Sequence, residues 1–400
     1  MTVRYKYCFR DEESSFDFLI DHIFWFLNRF VYDMNTLGPG LQRARQAMIT
    51  AGVDAVLVGS PGLVAFLTGH VIPSHLAYPS RDGRMEKPTL ALVTHDGLAT
   101  IGSMPTPSVG NVVPYGIGAR GLSDNSDAFA AVLAAAKTLG LRAGKLAVEL
   151  ALVPAGALAA ISEACPALKV LPLDRLFSAS KSVKDADELK GIAEALALCD
   201  AGQNAVRAAV VSGQSELDFY CAAVQAMNKC AGSLVLSLGE VQVGSRGELM
   251  MGAPTGAQIA DGELVMCDLA PRHPNGWWGD SCITVACGQP DITAKTVWRE
   301  LRDGMEAGRE MLRPGIAACD VYAQLERYAG YLHGHGGHSI GRDHYEDPHI
   351  GPNNTEQLLE DTVIVLEPGR YGAGRGMRIE HAFRVTPSGG VPLSTFDLAL

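Results

Sequence analysis

A glycine-rich segment near the carboxyl end of the chain, His333–Asn354, contains five histidines in the sequence HGHGGHSIGRDHYEDPHIGPNN. Imidazole is the commonest side-chain metal ligand and also titrates near neutral pH. The glycines on all sides allow the backbone to approach a bound group closely. The segment therefore predicts a metal or catalytic site, and the question is which of its histidines takes part.

Four carboxylates interrupt runs that otherwise predict buried strands: Asp268 in ELVMCDLAP, Asp280 before SCITVACG, Glu367 after TVIVL, and Glu380 in GMRIEHAF. Burying a carboxylate costs free energy unless a cation or hydrogen bonds compensate it. Each acid alone is typical of an ordinary strand end or salt bridge. Four of them together, with the histidine segment, favour a shared cation site.

Two hairpins are predicted to hold these acids. Asp268 and Asp280 lie symmetrically about a turn signal at His273–Asn275, so we expect them to be cross-strand neighbours, about 5 Å apart at Cβ. Glu367 and Glu380 flank the sequence PGRYGAGRGM in a similar way. Two such carboxylate pairs can hold two divalent ions at a separation of roughly 3.5–4 Å.

The elements that must position these residues fall into two predicted domains. From Leu41 a helix, the apolar strand DAVLVGS and alanine-rich helices alternate, which predicts an α/β domain with a parallel or mixed sheet over residues 34–180. Residues 181–400 mix long helices with the acid-bearing strands, which predicts an α+β domain. Residues 1–33 are an extension that is either an added helix or an artefact of start-site choice.

Composition restricts the partners and the compartment. The formal net charge is −11, so we expect neither a nucleic-acid nor an anionic-membrane partner, since both need a basic surface. The aromatic run Phe16–Tyr32 carries Asp17, Asp21 and Arg29, too many charges for a membrane span. Nine scattered cysteines without a CxxC pair indicate a reduced, cytoplasmic chain.

The motifs DLAPRHPNGWWGDSCITV, GGHSIG, VLEPGRY and MRIEHAF, in this order, resemble those of the pita-bread metallohydrolases, the superfamily of methionine aminopeptidase, aminopeptidase P, prolidase and creatinase. The resemblance begins near Leu41, where GVDAVLVGSPGLVAFLTGH is similar to the opening of a creatinase-type domain. It implies an α/β creatinase-like amino-terminal domain, an α+β pita-bread catalytic domain and a homodimer.

The resemblance also implies a role for each ligand. Asp268 would bind one ion, Asp280 and Glu380 would bridge two ions, and His338 would be the single imidazole ligand of the other. Glu367 would be a ligand and would also handle the proton of the attacking water. A donor set rich in oxygen with one nitrogen is compatible with Mn²⁺, Co²⁺, Fe²⁺ or Zn²⁺.

Two positions depart from the peptidases of this superfamily. Met251 stands where they have a substrate-binding histidine, and Tyr345 stands where a second histidine follows the ligand histidine, with His344 one residue early. Either Tyr345 donates to the developing oxyanion or His344 reaches into the site. Arg378 is a candidate to bind a substrate carboxylate, but we expect it to point away from the metals and to pair with an acid.

Three functions are compatible with the sequence. The leading hypothesis is a dinuclear metal-dependent hydrolase that cleaves an amide or related C–N bond in a small substrate, in the manner of an Xaa-Pro dipeptidase. The alternatives are an amidohydrolase or lyase acting on a non-peptide metabolite, and a catalytically silent binding protein. We expect His333, His335 and His349 to serve local packing or hydrogen bonding.

Overall fold

A computed structural model describes residues 39–72, 89–102, 111–114, 126–330 and 332–400. The aromatic run Phe16–Tyr32 and the whole extension 1–33 lie outside the described residues. Within these ranges, no helix is both long and apolar enough to cross a bilayer.

The amino-terminal half is built on one mixed six-stranded sheet. Its strands are β1 (Ala55–Val58), β2 (Leu90–Thr94), β3 (Leu98–Gly102), β4 (Asn111–Pro114), β5 (Ala143–Val148) and β6 (Ala167–Pro172). Their order in the sheet is β4-β3-β2-β1-β5-β6, with β1 parallel to β5 and antiparallel to β2. Strand β1 is buried throughout, as its uninterrupted apolar run AVLV requires.

Helices cover this sheet and lead out of it. They are α1 (Pro39–Ala51), α2 (Pro61–Thr68), α3 (Ser126–Thr138), α4 (Ala155–Ala164), the short α5 (Ser178–Ser182) and α6 (Ala186–Ala209). The start of α6 is fixed by a capping box between Asp185 and Glu188. Arg43 of α1 donates to Glu188 at 2.8 Å, so the first helix is tied to the start of the second half.

The carboxyl-terminal half contains three more helices and ten strands among its described residues. The helices are α7 (Glu216–Ala231), α8 (Ile292–Met311) and α9 (Ala318–Ala329). The strands are β7 (Leu236–Val243), β8 (Leu264–Arg272), β9 (Ser281–Ala286), β10 (Gly337–Ser339), β11 (Glu346–Ile350), β12 (Val363–Leu366), β13 (Gly369–Gly372), β14 (Arg375–Arg378), β15 (His381–Thr386) and β16 (Gly389–Pro392).

The strands of this half form two larger sheets and a hairpin. The sheet orders are β7-β8-β9, β11-β10-β12-β15-β16 and β13-β14. A bridge between Cys282 and Glu380 connects the first sheet to the segment between β14 and β15. The predicted α/β domain followed by an α+β domain is confirmed, whereas the boundary at residue 180 stays a prediction.

The register of the β8-β9 hairpin differs from the prediction by two residues. Asp268 lies opposite Cys282 and not opposite Asp280. The turn is centred on Asn275, because His273 N–H donates to the Trp277 carbonyl and Gly276 adopts a φ of +88° that favours glycine. Asp280 is two residues before Cys282, so it stays on the face of Asp268 as a diagonal neighbour.

Gly337, which immediately precedes His338, is a position that no other residue should tolerate. Its φ is +145°, and an added Cβ would lie 2.0 Å from the Val365 carbonyl oxygen. We expect Gly337→Ala to lower the free energy of unfolding by about 2 kcal/mol or more, measured by urea denaturation. Gly256→Ala is the control, since a Cβ there meets nothing within 4 Å; equal losses in both variants would contradict the argument.

Candidate metal centre

One side of the candidate centre consists of oxygen donors and a thiol. Asp268 projects from β8, Cys282 from β9, and Glu380 from the segment after β14. Their donor atoms lie within 4.8 Å of one another. Glu380 is only 1% exposed, and its backbone N–H donates to the Cys282 carbonyl at 2.9 Å. The bridge between the two sheets therefore places this carboxylate beside Asp268.

The other side is built around His338, the buried central residue of β10. Its Nε2 lies 3.2 Å from Oδ2 of Asp280 and 3.5 Å from Oε1 of Glu367. Its Nδ1 lies 2.9 Å from the Ser339 carbonyl oxygen. Strand β10 pairs with β12, which ends one residue before Glu367. The pairing of the two short strands thus brings the predicted ligand histidine to Glu367.

Two further imidazoles contact the same carboxylates. His344 Nε2 lies 2.9 Å from Oδ2 of Asp280, and His335 Nε2 lies 2.5 Å from Oε1 of Glu367. His335 Nδ1 in turn lies 2.7 Å from Nε2 of His349. The sequence prediction allowed for His344 but assigned His335 and His349 to local contacts. The signal that could have revealed them was the density of histidines around one glycine-rich strand.

The charges of the cluster show that the donor set fits divalent cations. Burial raises the pKa of Asp268 to about 7 even though Arg378 opposes the shift. Burial and the charges of Asp268, Glu367 and Asp280 raise the pKa of Glu380 well above its usual range. Several buried carboxylates that repel one another are stabilised in their charged form by a shared cation.

The pKa is lowered, and not raised, in the two carboxylates that imidazoles contact, Asp280 and Glu367. Burial alone would raise the pKa of Asp280, but His344 and His338 outweigh it and hold the pKa well below its usual range. Glu367 behaves in the same way, since burial is outweighed by its hydrogen bond to His335 and the pKa is lowered. These two carboxylates are therefore ionised at neutral pH.

Arg378 does not lie where the sequence prediction placed it. The residue is 6% exposed, and its guanidinium is ion-paired with Asp268 and, at 3.0 Å, with Glu380. The expectation that it points away from the metal ligands is wrong, although its pairing with acids is right. Residues two apart on an extended strand share a face, so Arg378 and Glu380 project to the same side.

The two positions that depart from the superfamily lie at the opening of the cluster. The Tyr345 side chain is 56% exposed, and its ring centroid is 4.0 Å from that of His338. Met251 is 65% exposed and follows Met250, whose carbonyl lies 3.5 Å from Nη1 of Arg378. Both departures therefore border the site and leave the ligand groups intact.

Comparison with known sequences agrees with this geometry. Residues 190–387 match metallopeptidase family M24. The chain is 28% identical over 254 residues to a probable dipeptidase PepE of Mycobacterium tuberculosis. The aligned region covers 59% of this chain and 67% of that protein. It is 35% identical over 144 residues to an Xaa-Pro dipeptidase of Lactobacillus helveticus, covering 34% of this chain and 39% of that protein.

Solved structures share the fold over nearly the whole chain. The dipeptidase of Pyrococcus horikoshii OT3 superposes with a TM-score of 0.77 at 20% identity, covering 90% of this chain and 99% of that one. Dipeptidase PepE of Mycobacterium ulcerans superposes with a TM-score of 0.74 at 23% identity, covering 92% of this chain and 98% of that one.

The family match spans the segment that carries all five predicted ligands, and the two-domain fold is shared with solved dipeptidases. Members of this family use divalent metals, and the described residues contain groups able to bind them. Residues 190–387 belong to metallopeptidase family M24, and the chain is a metal-dependent hydrolase with the pita-bread fold.

Proposed function

We propose that the chain is a dipeptidase that uses two divalent metal ions to hydrolyse the amide bond of Xaa-Pro dipeptides or closely related small substrates. One observation carries the proposal. Asp268, Asp280, His338, Glu367 and Glu380 lie in or next to separate strands and meet in one cluster, inside the segment that matches family M24. The names of the dipeptidase relatives support the substrate class.

These five residues would hold the ions. Divalent ions bound there would supply Lewis acidity that polarises the amide carbonyl and acidifies the attacking water. The donor set is compatible with Mn²⁺, Co²⁺, Fe²⁺ or Zn²⁺. We also propose, from the family resemblance alone, that the protein works as a cytoplasmic homodimer.

Glu367 is the residue proposed to accept the proton of the attacking water. Its lowered pKa keeps the carboxylate ionised at neutral pH, as a proton acceptor must be. His335 holds one carboxylate oxygen through the contact at 2.5 Å, which restricts the rotation of the side chain. The carboxylate is therefore held in one orientation for the transfer.

Tyr345 and His344 are proposed to act on the substrate side of the cluster. Partial burial and the nearby carboxylates raise the pKa of Tyr345, so it remains a phenol that donates a hydrogen bond to a developing oxyanion. His344 holds Asp280 through its Nε2. The exposed Met251 borders the opening and would contact an apolar part of the substrate.

Arg378 is proposed to position ligands and not to bind the substrate carboxylate. Its guanidinium already pairs with Asp268, Glu380 and, at 3.4 Å, Glu240. A guanidinium has five N–H donors in a fixed planar arrangement. With three carboxylates around it, few donors remain for a substrate.

A second candidate is hydrolysis of a non-peptide amide. The observation that favours it is the exposed Tyr345 and Met251 at the two positions where peptidases of the superfamily have histidines. The metal ligands would be unchanged, and only the substrate would differ. The assay that separates the two candidates must therefore vary the substrate while the metal is held constant.

We expect metal-loaded protein to hydrolyse Xaa-Pro dipeptides, and to lose this activity when a chelator removes the metal. Apo protein is loaded in turn with Mn²⁺, Co²⁺, Fe²⁺ and Zn²⁺, and kcat/KM is measured for Xaa-Pro, Pro-Xaa and Xaa-Ala dipeptides and for N-acyl amides. Turnover of the N-acyl amides alone would favour the second candidate. The absence of turnover for every pair of metal and substrate would overturn both.

A further inference from the structure

Three imidazoles converge on the same two carboxylates. Asp280, His338 and His344 form one group whose donor atoms lie within 4.8 Å of one another, and His335, His338 and Glu367 form a second. His338 belongs to both groups. The carboxylate side of the centre has no imidazole in its group, which consists of Asp268, Cys282 and Glu380. The two halves of the centre therefore differ in donor chemistry.

The orientation of His338 leaves a lone pair facing negative oxygen atoms. Its Nδ1 lies 2.9 Å from the Ser339 carbonyl, a pure acceptor, so Nδ1 must carry the proton of a neutral ring. Nε2 is then an acceptor that faces carboxylate oxygens of Asp280 at 3.2 Å and Glu367 at 3.5 Å. A cation between the three groups would satisfy this arrangement, as would a second proton on the ring.

The two other rings are also held with Nε2 toward the carboxylates. His335 Nδ1 contacts His349 Nε2 at 2.7 Å, and His335 Nε2 contacts Glu367. Histidines that ligate metals commonly hydrogen-bond through their other ring nitrogen, which fixes the orientation of the ring. His344 is oriented differently, by stacking on Trp278 with ring centroids 5.3 Å apart.

We propose that His335 and His344 join His338 as metal ligands on the side of the centre formed by Asp280 and Glu367, which is thereby rich in nitrogen and selects Zn²⁺, Co²⁺ or Ni²⁺ over Mn²⁺. Their Nε2 atoms would then bind the cation instead of the carboxylate oxygens that they contact here. Imidazole favours these later ions, whereas carboxylate oxygen suits Mn²⁺ and Mg²⁺. The position formed by Asp268 and Glu380 keeps the preference of carboxylate oxygen for Mn²⁺ and Mg²⁺. The inference rests on the proposed metal centre, and it adds two ligands and a difference in selectivity between its halves.

The test is direct metal binding, without an activity assay. Apo protein is titrated with Zn²⁺ and with Mn²⁺ in competition with a chromophoric chelator, for the wild type, His335→Ala and His344→Gln. We expect each variant to bind Zn²⁺ at the tighter position about tenfold or more weakly, with a smaller change for Mn²⁺. The ratio of the two affinities is the decisive quantity, because almost any site of this kind prefers Zn²⁺ to Mn²⁺.

The visible spectrum of the Co²⁺-loaded protein is a second readout. Loss of a ligand imidazole should change the position and intensity of the d–d bands in both variants. His333→Asn is the matched control. This histidine is two residues from His335 and belongs to none of the ligand groups of the described residues. Its φ of +54° is one that asparagine tolerates. Its affinities and spectrum should equal those of the wild type.

Unchanged Zn²⁺ to Mn²⁺ affinity ratios and unchanged Co²⁺ spectra in both variants would overturn the inference. If His335→Ala or His344→Gln fails to fold, as judged by circular dichroism, His335→Gln and His344→Asn serve in the same measurements. The proposed function is tested separately. Dipeptide hydrolysis by the wild type with unaltered metal binding in the variants would refute the added ligands alone, and altered metal binding without hydrolysis would refute the substrate class alone.

Discussion

Glu367→Gln should abolish most of the hydrolysis while leaving the fold intact. The amide has nearly the shape of the carboxylate, but it cannot accept the proton of the attacking water. A lost general base costs about 10²–10⁴-fold in rate, so we expect kcat to fall by that factor. The measurement is kcat for the best dipeptide of the panel under saturating metal.

The control for this variant is Glu360→Gln, seven residues earlier on an exposed part of the chain, where kcat should not change. Because Glu367 is also a proposed ligand, metal content is measured in the same samples. A Glu367→Gln protein with full metal content and more than a tenth of the wild-type kcat would refute the proposed role as the base.

Glu346→Gln should cause the largest loss of stability. The Glu346 carboxylate is paired with Lys184 at 2.7 Å and with Lys181 at 3.1 Å, and the Lys184 side chain is only 2% exposed. Removal of one partner of a buried pair leaves an uncompensated charge, at a cost of about 3–5 kcal/mol. The measurement is the free energy of unfolding in urea at neutral pH.

The matched control is Glu306→Gln, which removes a surface pair between Glu306 and Arg309. Exposed pairs contribute less than about 1 kcal/mol, so this variant should remain close to the wild type. Equal losses in the two variants would show that burial does not strengthen the Glu346 pair.

The same carboxylate makes the free energy of unfolding depend on pH, and the direction of this dependence follows from its pKa. Burial alone would raise the pKa of Glu346, but Lys181 and Lys184 outweigh it and hold the pKa at about 2, against an ordinary value of 4.5. The unfolded chain therefore binds more protons between these values. The contribution of Glu346 is complete above pH 4.5 and is lost as the pH falls toward 2; in Glu346→Gln this part of the acid dependence should vanish.

This buried pair also bears on the metal centre. Glu346 accepts hydrogen bonds from the backbone N–H groups of Arg342 and Asp343 at 3.1 and 3.2 Å, and so fixes the turn that ends at His344. Lys181 lies in α5, and Lys184 lies between α5 and α6. The junction between the two halves of the chain thus supports the turn that places His344 against Asp280.

Much of the centre could be predicted from the sequence. The acids at Asp268, Asp280, Glu367 and Glu380 stood out because a carboxylate inside an apolar strand is costly without a cation, and His338 stood out because glycines surround it. The order of these motifs was sufficient to predict the family and the succession of an α/β and an α+β half. These signals are local, and each can be seen within about ten residues of sequence.

The rest depends on contacts between distant segments. The hairpin register was decided by the conformation of Gly276, which moved Cys282 opposite Asp268. The pairing of β10 with β11 and β12 brought His349 and Glu367 to His335, and no spacing in the sequence specifies those pairings. The sequence by itself determined which groups are candidates to bind a cation; the tertiary structure decided which imidazoles contact these groups, because a side chain's neighbours across a sheet are set by strand register.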